Sequence, residues 1–214
     1  MAEDVKRDRP TDGRREQART RLARRAVVTA ARTLFLDRGY AATTVDAISD
    51  LAEVPAATIY RLFASKLGIL KALLDTSIAG DDEPVSVQER SDVASLFAEP
   101  DPTKLLVGFA GVTTAINQRT NDVYRLLASA AGSDPAAAEL LGEIQQQRSH
   151  GQSRIARALA RSGSLREDLR ERDASDIVHA LMSPEVYRLL VVERRWPPER
   201  YEKWLGSTLV QQLT

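Results

Sequence analysis

Cysteine is absent from this 214-residue chain, which removes disulfide staples, thiol nucleophiles and thiolate metal sites together. Histidine is nearly absent. His150 and His179 are the only two, and they fall on different expected helices, well apart in sequence. No HExxH, GxSxG or phosphate-cradling glycine pattern occurs. Acidic pairs such as Asp81-Asp82 and Glu167-Asp168 lie in expected loops and read as solvated carboxylates. No catalytic residue, metal or cofactor is expected. Apolar runs approaching the roughly 18 residues of a membrane span are missing, and the opening MAEDVKRDRP lacks the apolar core of a signal peptide. A cytoplasmic protein with no membrane partner is the expectation.

Aromatic residues are scarce at 5%, while hydrophobic residues make up 43% and charged residues 28% of the chain. Alanine, leucine and arginine dominate, and these favour helices. No strand alternation and no internal repeat is visible, so the chain is expected to be all-α. Net charge is zero, but it is unevenly placed. Residues 1–71 hold 14 Lys/Arg against 9 Asp/Glu, whereas the remainder hold 16 against 21. A basic head on an acidic body is what a protein needs if only the head approaches a polyanion.

Residues 1–15 are charged and contain Pro10 and Gly13, and are expected to form a flexible basic arm. A first helix then carries Leu22, Val27, Ala30, Ala31, Leu34 and Phe35 on one stripe, with Gly39 placed to end it in a left-handed cap. Thr43 and Asp46 have capping-box spacing before a short helix with Val45, Ile48 and Ala52. After a turn at Glu53-Val54 comes another short helix. Ser65 is placed to cap the next, whose apolar face is Ile69, Leu70, Leu73 and Leu74. This head is expected over 16–79, broken by GDDEP.

The second domain, 80–214, is punctuated by proline and glycine. Asp101 and Pro102 fit the cap and first position of a helix bearing Leu105, Leu106, Phe109, Val112 and Ile116. A further helix is expected from about Asp122. GSDP opens a longer one with Ala138, Leu141 and Ile144, ending near Ser162-Gly163. Asp173 begins an apolar helix that Pro184 should kink or split, and WPP begins the last, with Tyr201, Trp204, Leu205, Thr208 and Leu209 on one side.

The two short helices around Glu53-Val54 form a helix-turn-helix candidate. Leu34-Phe35, Gly39-Tyr40, Thr43-Thr44-Val45, Ile48, Ala52, Val54, Thr58-Ile59-Tyr60, Phe63 and Ser65-Lys66, in that order and spacing, carry more than the pattern. The span from Ala30 to Leu74 resembles the N-terminal domain of TetR-family transcriptional regulators. The resemblance implies a three-helix DNA-binding head joined to a helical ligand-binding and dimerisation domain. It further implies a homodimer through the last two helices, a palindromic double-stranded operator, and release by a small-molecule effector. Repression is the implied sign of action. The alternative is a helical scaffold or co-regulator that does not bind an operator.

With 100° per residue and Ile59 set inward, Pro55, Leu62 and Phe63 lie on the buried side of the second short helix. Ala57, Tyr60, Arg61 and Ala64 point outward, with Thr58 on the flank. Arg61 is the outward side chain able to grip a guanine edge or a phosphate, and the methyls of Ala56 and Ala57 suit a thymine methyl. Tyr60 and Thr58 can donate to phosphates, as the resemblance implies for Tyr60. Thr44 and Lys66 sit near helix N-termini, which favour phosphate, and Thr43 belongs to the same expected contact set. Two residues depart from the family pattern: Glu53 replaces a common glycine, and Leu62 a common histidine. From Lys6 to Arg25 there are nine basic residues, and Arg14 and Arg15 are among those expected to reach phosphates or a narrow minor groove. For a largely hydrophobic effector the expected lining residues are Phe109, Thr113, Tyr124 and Met182.

Overall fold

The computed structural model describes residues 11–80 and 91–214. Among the described residues every regular element is helical: α1 (Thr11–Ala42), α2 (Val45–Ala52), α3 (Ala56–Phe63), α4 (Lys66–Ala79), α5 (Ser91–Phe97), α6 (Pro102–Ala131), α7 (Pro135–Ser162), α8 (Glu171–Leu181), α9 (Pro184–Tyr187) and α10 (Pro198–Leu213), with a π-helical stretch at Arg188–Glu193. The chain divides into two compact units inside α4, one ending at Leu73 and the other beginning at Leu74.

In the first unit, α1 buries Val27, Ala30, Ala31, Leu34 and Phe35, the spacing read from the sequence, whereas Leu22, expected on the same stripe, is 67% exposed. Against them pack Val45 and Ile48 of α2, Ile59 and Phe63 of α3, and Ile69, Leu70 and Leu73 of α4. Gly39 does not close α1 with a left-handed cap. Its φ of 81° and ψ of 165° put a kink within the helix, a backbone geometry open to glycine and almost no other residue. The helix also starts at Thr11, so residues 11–15 of the expected arm are helical, while residues 1–10 lie outside the described residues.

In the second unit Asp101 and Asp134 cap α6 and α7, each followed by proline in the first turn. The break expected near Asp122 does not occur, and α6 runs unbroken through it. Neither Pro nor Gly interrupts Ala115–Ala131, and Thr120 satisfies its hydroxyl on the Ile116 carbonyl one turn back without breaking the backbone ladder. The inward face of α7 begins with Ala137 and Leu140. That is one residue earlier than expected, leaving Leu141 and Ile144 half-buried. Gly163 ends the helix with φ 70° and ψ 18°. Pro184 does split the next apolar segment: α8 stops at Leu181 and Ser183 caps α9 by accepting from the Val186 N–H.

The core of this unit joins Leu105, Leu106, Phe109 and Ala110 of α6 to Ile155 and Leu159 of α7, Val178 and Met182 at α8, and Tyr201, Leu205 and Leu209 of α10. Helix α10 lies close on α6, since a Cβ at Gly206 would sit 3.3 Å from a Val107 methyl. The α10 stripe Tyr201, Leu205 and Leu209 is therefore spent on the chain's own core and is fully buried. The large exposed apolar side chains nearby are Val107 of α6 and Leu189 and Val192 of the π-helical stretch.

Candidate nucleic-acid interface

The turn between α2 and α3 is built from short polar contacts. Thr44, not Thr43, caps α2, its hydroxyl oxygen accepting from the Ala47 N–H at 3.1 Å. The hydroxyl proton of Thr44 is not used in that bond, and the residue is exposed, so it can still donate to a phosphate oxygen. Thr43 is 1% exposed, and its hydroxyl donates to the Leu34 and Gly39 carbonyls. It ties α1 to the start of α2 and has nothing left for DNA, which corrects its place in the expected contact set.

Helix α2 ends at Glu53 in the left-handed region, φ 54° and ψ 34°. An L side chain there is strained relative to glycine, as the departure from the family pattern anticipated. Ser49 clips the turn from inside: its carbonyl accepts from the Val54 N–H and its hydroxyl donates to the Val54 carbonyl at 2.7 Å. Sequence reasoning passed over Ser49, although a serine four residues before a left-handed position is a recognisable turn signal.

Pro55 opens α3 with φ −54°, close to the angle its ring imposes. From there the helix presents two faces. Ile59 and Phe63 are buried, while Ala57, Tyr60, Arg61 and Ala64 are exposed. Ala56, Thr58 and Leu62 lie between. The outward set matches the helical-wheel reading, except that Pro55, placed inward, is exposed. Methyls, one phenol and one guanidinium thus form the presented face.

Past α3 the chain turns sharply. Ala64 has φ 64° and ψ −38°, and the Ser65 N–H reaches the Phe63 carbonyl at 2.8 Å. This is a three-residue γ-turn with positive φ, which is rare and strained. The same carbonyl crowds Gly68, where a Cβ would fall 1.9 Å from it, so only glycine fits. Ser65 caps α4 through the Gly68 N–H. Lys66 points its ammonium at the Tyr40, Ala41 and Thr43 carbonyls, at 2.8, 3.4 and 2.9 Å, above the Tyr40 ring. It clasps the end of α1 to the start of α4, and its three donors face protein oxygens; the phosphate role read from sequence does not suit it. Arg24 holds the far end of α3, where its Nη1 donates to the Leu62 carbonyl. Arg15 is exposed on α1, and the side chain of Arg14 lies outside the described residues.

Residues 27–73 match the family model described as bacterial regulatory proteins, tetR family. The head belongs to the tetR family. Solved structures similar to the whole chain include Salmonella enterica GusR, 19% identical with a TM-score of 0.63 over 89% of this chain and 95% of that one. A TetR/AcrR-family transcriptional regulator from Thermobifida fusca is 20% identical with a TM-score of 0.62, over 87% and 96%. The fatty acid degradation regulator FadR from Bacillus halodurans is 16% identical with a TM-score of 0.64, over 87% and 94%. At these identities the likeness is one of fold, and it extends the TetR architecture past the head into the second unit. No curated protein matches the chain. The chain thus joins a tetR-family head to a helical second unit in a TetR-like fold, and among the described residues no helix is long and apolar enough to cross a membrane.

The residues expected to line an effector site all lie in the second unit. Phe109, Thr113, Tyr124 and Met182 are each 5–7% exposed. Phe109 and Met182 belong to the apolar core. Thr113 and Tyr124 share a stripe of α6 that is largely polar, and Tyr124 donates its hydroxyl to Glu185 Oε1 at 3.1 Å.

Proposed function

We propose that the protein is a ligand-responsive repressor that binds a palindromic operator as a homodimer and leaves it when a small molecule occupies the second unit. The observation that carries the reading is the presented face of α3. Ala57, Tyr60, Arg61 and Ala64 are exposed along one side, while Ile59 and Phe63 lock the other into the head. Arg61 supplies the base contact, Tyr60, Thr58 and Thr44 the phosphate contacts, and the methyls of Ala56 and Ala57 a fit to thymine. Arg14, Arg15 and the other arginines at the N-terminal end add affinity with little sequence information.

Dimerisation uses the surface that the last helices leave outward. Tyr201, Leu205 and Leu209 are consumed by the core, which leaves Leu189 and Val192 with the half-buried Trp196 and Trp204. The effector is a small, largely apolar molecule held along α6 near Phe109, Thr113, Tyr124 and Met182. The test is sequencing of the DNA fragments that the purified full chain selects from a random library. An inverted repeat with half-sites about one helical turn apart supports the reading; recovery of no enriched sequence overturns it in favour of a scaffold. Adding extract from the source cells to the selected complex then tests ligand response by release of the DNA.

A further inference from the structure

The buried stripe of α6 changes character in its middle. Leu106, Phe109 and Leu127 are apolar, but Thr113, Asn117, Thr120 and Tyr124 between them are polar and at most 7% exposed. Their spacing of four, three and four residues keeps them on one face. Against this face the neighbouring helices contribute further polar groups. Gln145 of α7 donates to the Tyr124 hydroxyl at 3.4 Å. Arg148 donates through Nη1 to the His179 carbonyl and through Nη2 to His179 Nε2, at 3.1 and 3.0 Å.

That second bond fixes the imidazole. Arginine has no acceptor, so Nε2 must accept, the proton sits on Nδ1, and Nδ1–H donates to Gln152 Oε1 at 2.9 Å. The ring is neutral. Every hydrogen-bond partner of the Arg148 guanidinium is therefore uncharged. Among the described residues no carboxylate lies within ion-pair distance of it, and the nearby Glu185 is engaged by Tyr124 instead. Burial lowers the Arg148 pKa, with Glu185 opposing that effect from a distance. A half-buried cation whose hydrogen-bond partners are all neutral is a costly arrangement that an arriving anion would relieve.

The unsatisfied atoms point the same way. Three buried side-chain atoms among the described residues lack a hydrogen-bond partner: Asn117 Nδ2, Arg148 Nε and Tyr201 Oη. All three carry a proton to give. Asn117 is 4% exposed and Tyr201 is fully buried; burial pushes the Tyr201 hydroxyl well above its usual pKa, with the facing Asn117 amide opposing that effect, so the hydroxyl keeps its proton and remains a donor.

We propose that the second unit binds a small carboxylic acid, with Arg148 as the counter-ion of its carboxylate and with Asn117 and Tyr201 donating to an oxygen elsewhere on the molecule. This rests on the reading that the unit takes a ligand, and narrows that ligand from largely apolar to apolar with an anionic end. The isolated guanidinium is what selects an anion over a neutral or cationic ligand, since a bidentate carboxylate would occupy Nε together with one terminal nitrogen.

The test uses the full chain and three matched probes: 4-phenylbutyrate, 4-phenylbutanol and 4-phenylbutylamine, followed by saturation-transfer NMR and thermal shift. The butyrate should bind best of the three. Arg148→Gln should weaken it by about tenfold or more, leaving the alcohol unchanged, and Arg148→Lys should restore part of the loss. Tyr201→Phe should raise the Tm of the unliganded protein, because it deletes a buried hydroxyl whose proton reaches no acceptor. A structural role for that hydroxyl would lower Tm and count against the proposal. Butyrate binding no better than the alcohol or amine, or unchanged in Arg148→Gln, overturns it. If the alcohol binds and the butyrate does not, the ligand-binding reading survives without its anionic end. If no probe binds, the carboxylate proposal falls, and release of operator by cell extract still decides the wider reading.

Discussion

Arg24 of α1 fastens the last turn of α3: its Nη1 donates to the Leu62 carbonyl at 2.9 Å, and its guanidinium lies 4.7 Å from the centre of the Phe63 ring. Helix α3 is only eight residues long, too short to hold itself together in water. It depends on such outside contacts for a fixed orientation. Arg24→Ala should destabilise the head by about 1–2 kcal/mol, the sum of one hydrogen bond and one exposed cation–π contact. Urea denaturation measures the loss. Operator affinity should fall equally for all base sequences, which separates Arg24 from a residue that reads bases.

The neighbouring threonines should part company on substitution. Thr44→Ala removes the cap of α2, at a cost of about 1 kcal/mol, and also a phosphate donor, so DNA affinity should fall by more than stability explains. Thr43→Ala should cost comparable stability through its two lost bonds to carbonyls, yet leave the affinity of the folded fraction unchanged. Titration of labelled operator at a temperature where both variants are folded distinguishes them. An affinity loss confined to Thr43→Ala would reverse their assignments.

Glu53 sits at φ 54°, where glycine carries no Cβ penalty. Glu53→Gly should stabilise the head by up to about 1 kcal/mol, the relief of strain being partly offset by the greater entropy of glycine in the unfolded chain. A shifted urea midpoint with an unchanged slope is the expected signature. A drop in stability would show that the Glu53 side chain makes a contact that outweighs its backbone strain.

Arg61→Ala should relax base preference at one position in each half-site, by about 1–3 kcal/mol if the guanidinium grips a guanine edge. Selection of DNA by the variant, compared with the parent, reads this directly. Uniform weakening across all sequences, with a shallower salt dependence, would place Arg61 on the phosphate backbone instead.

His179 gives the second unit a pH dependence of known sign. Burial lowers its pKa below the ordinary 6.5, and the adjacent Arg148 lowers it further, with Glu185 and Asp176 opposing. Tyr124 also faces the cluster, through its bond to Glu185. The folded state therefore disfavours the imidazolium more than the unfolded chain does. Stability should be level above about 6.5 and fall as pH drops from there through the folded-state pKa. Thermal melts from pH 7.5 downward should show the fall, and His179→Asn should flatten it. A fall that persists undiminished in the variant would assign it to other groups.

Much of the head was legible because its signals are local. The three- and four-residue spacing of apolar residues located the core of α1, Leu22 excepted, and the two faces of α3. Pro102, Pro135, Gly163 and Pro184 marked helix ends because backbone chemistry acts at the residue itself. The errors arose where distant segments meet. Thr43 and Thr44 are equal candidates for a cap until α1 folds back and its carbonyls claim the hydroxyl of Thr43. Lys66 looks like a phosphate ligand until Tyr40, Ala41 and Thr43 converge on its ammonium, 23 to 26 residues away in sequence.

By itself the sequence determined an all-helical chain with a basic head, a helix-turn-helix with Arg61 and Tyr60 on its outer face, and no recognisable catalytic or metal chemistry. Those follow from periodicity, composition and residue type, which do not require knowing what touches what. Only the tertiary structure decided which polar groups are already spent and which are not. It bound Thr43 and Lys66 into the frame, turned Tyr201 and Leu205 inward, and left Arg148 half-buried among uncharged hydrogen-bond partners. Burial and hydrogen bonding are properties of pairs, and the members of those pairs come from separate helices.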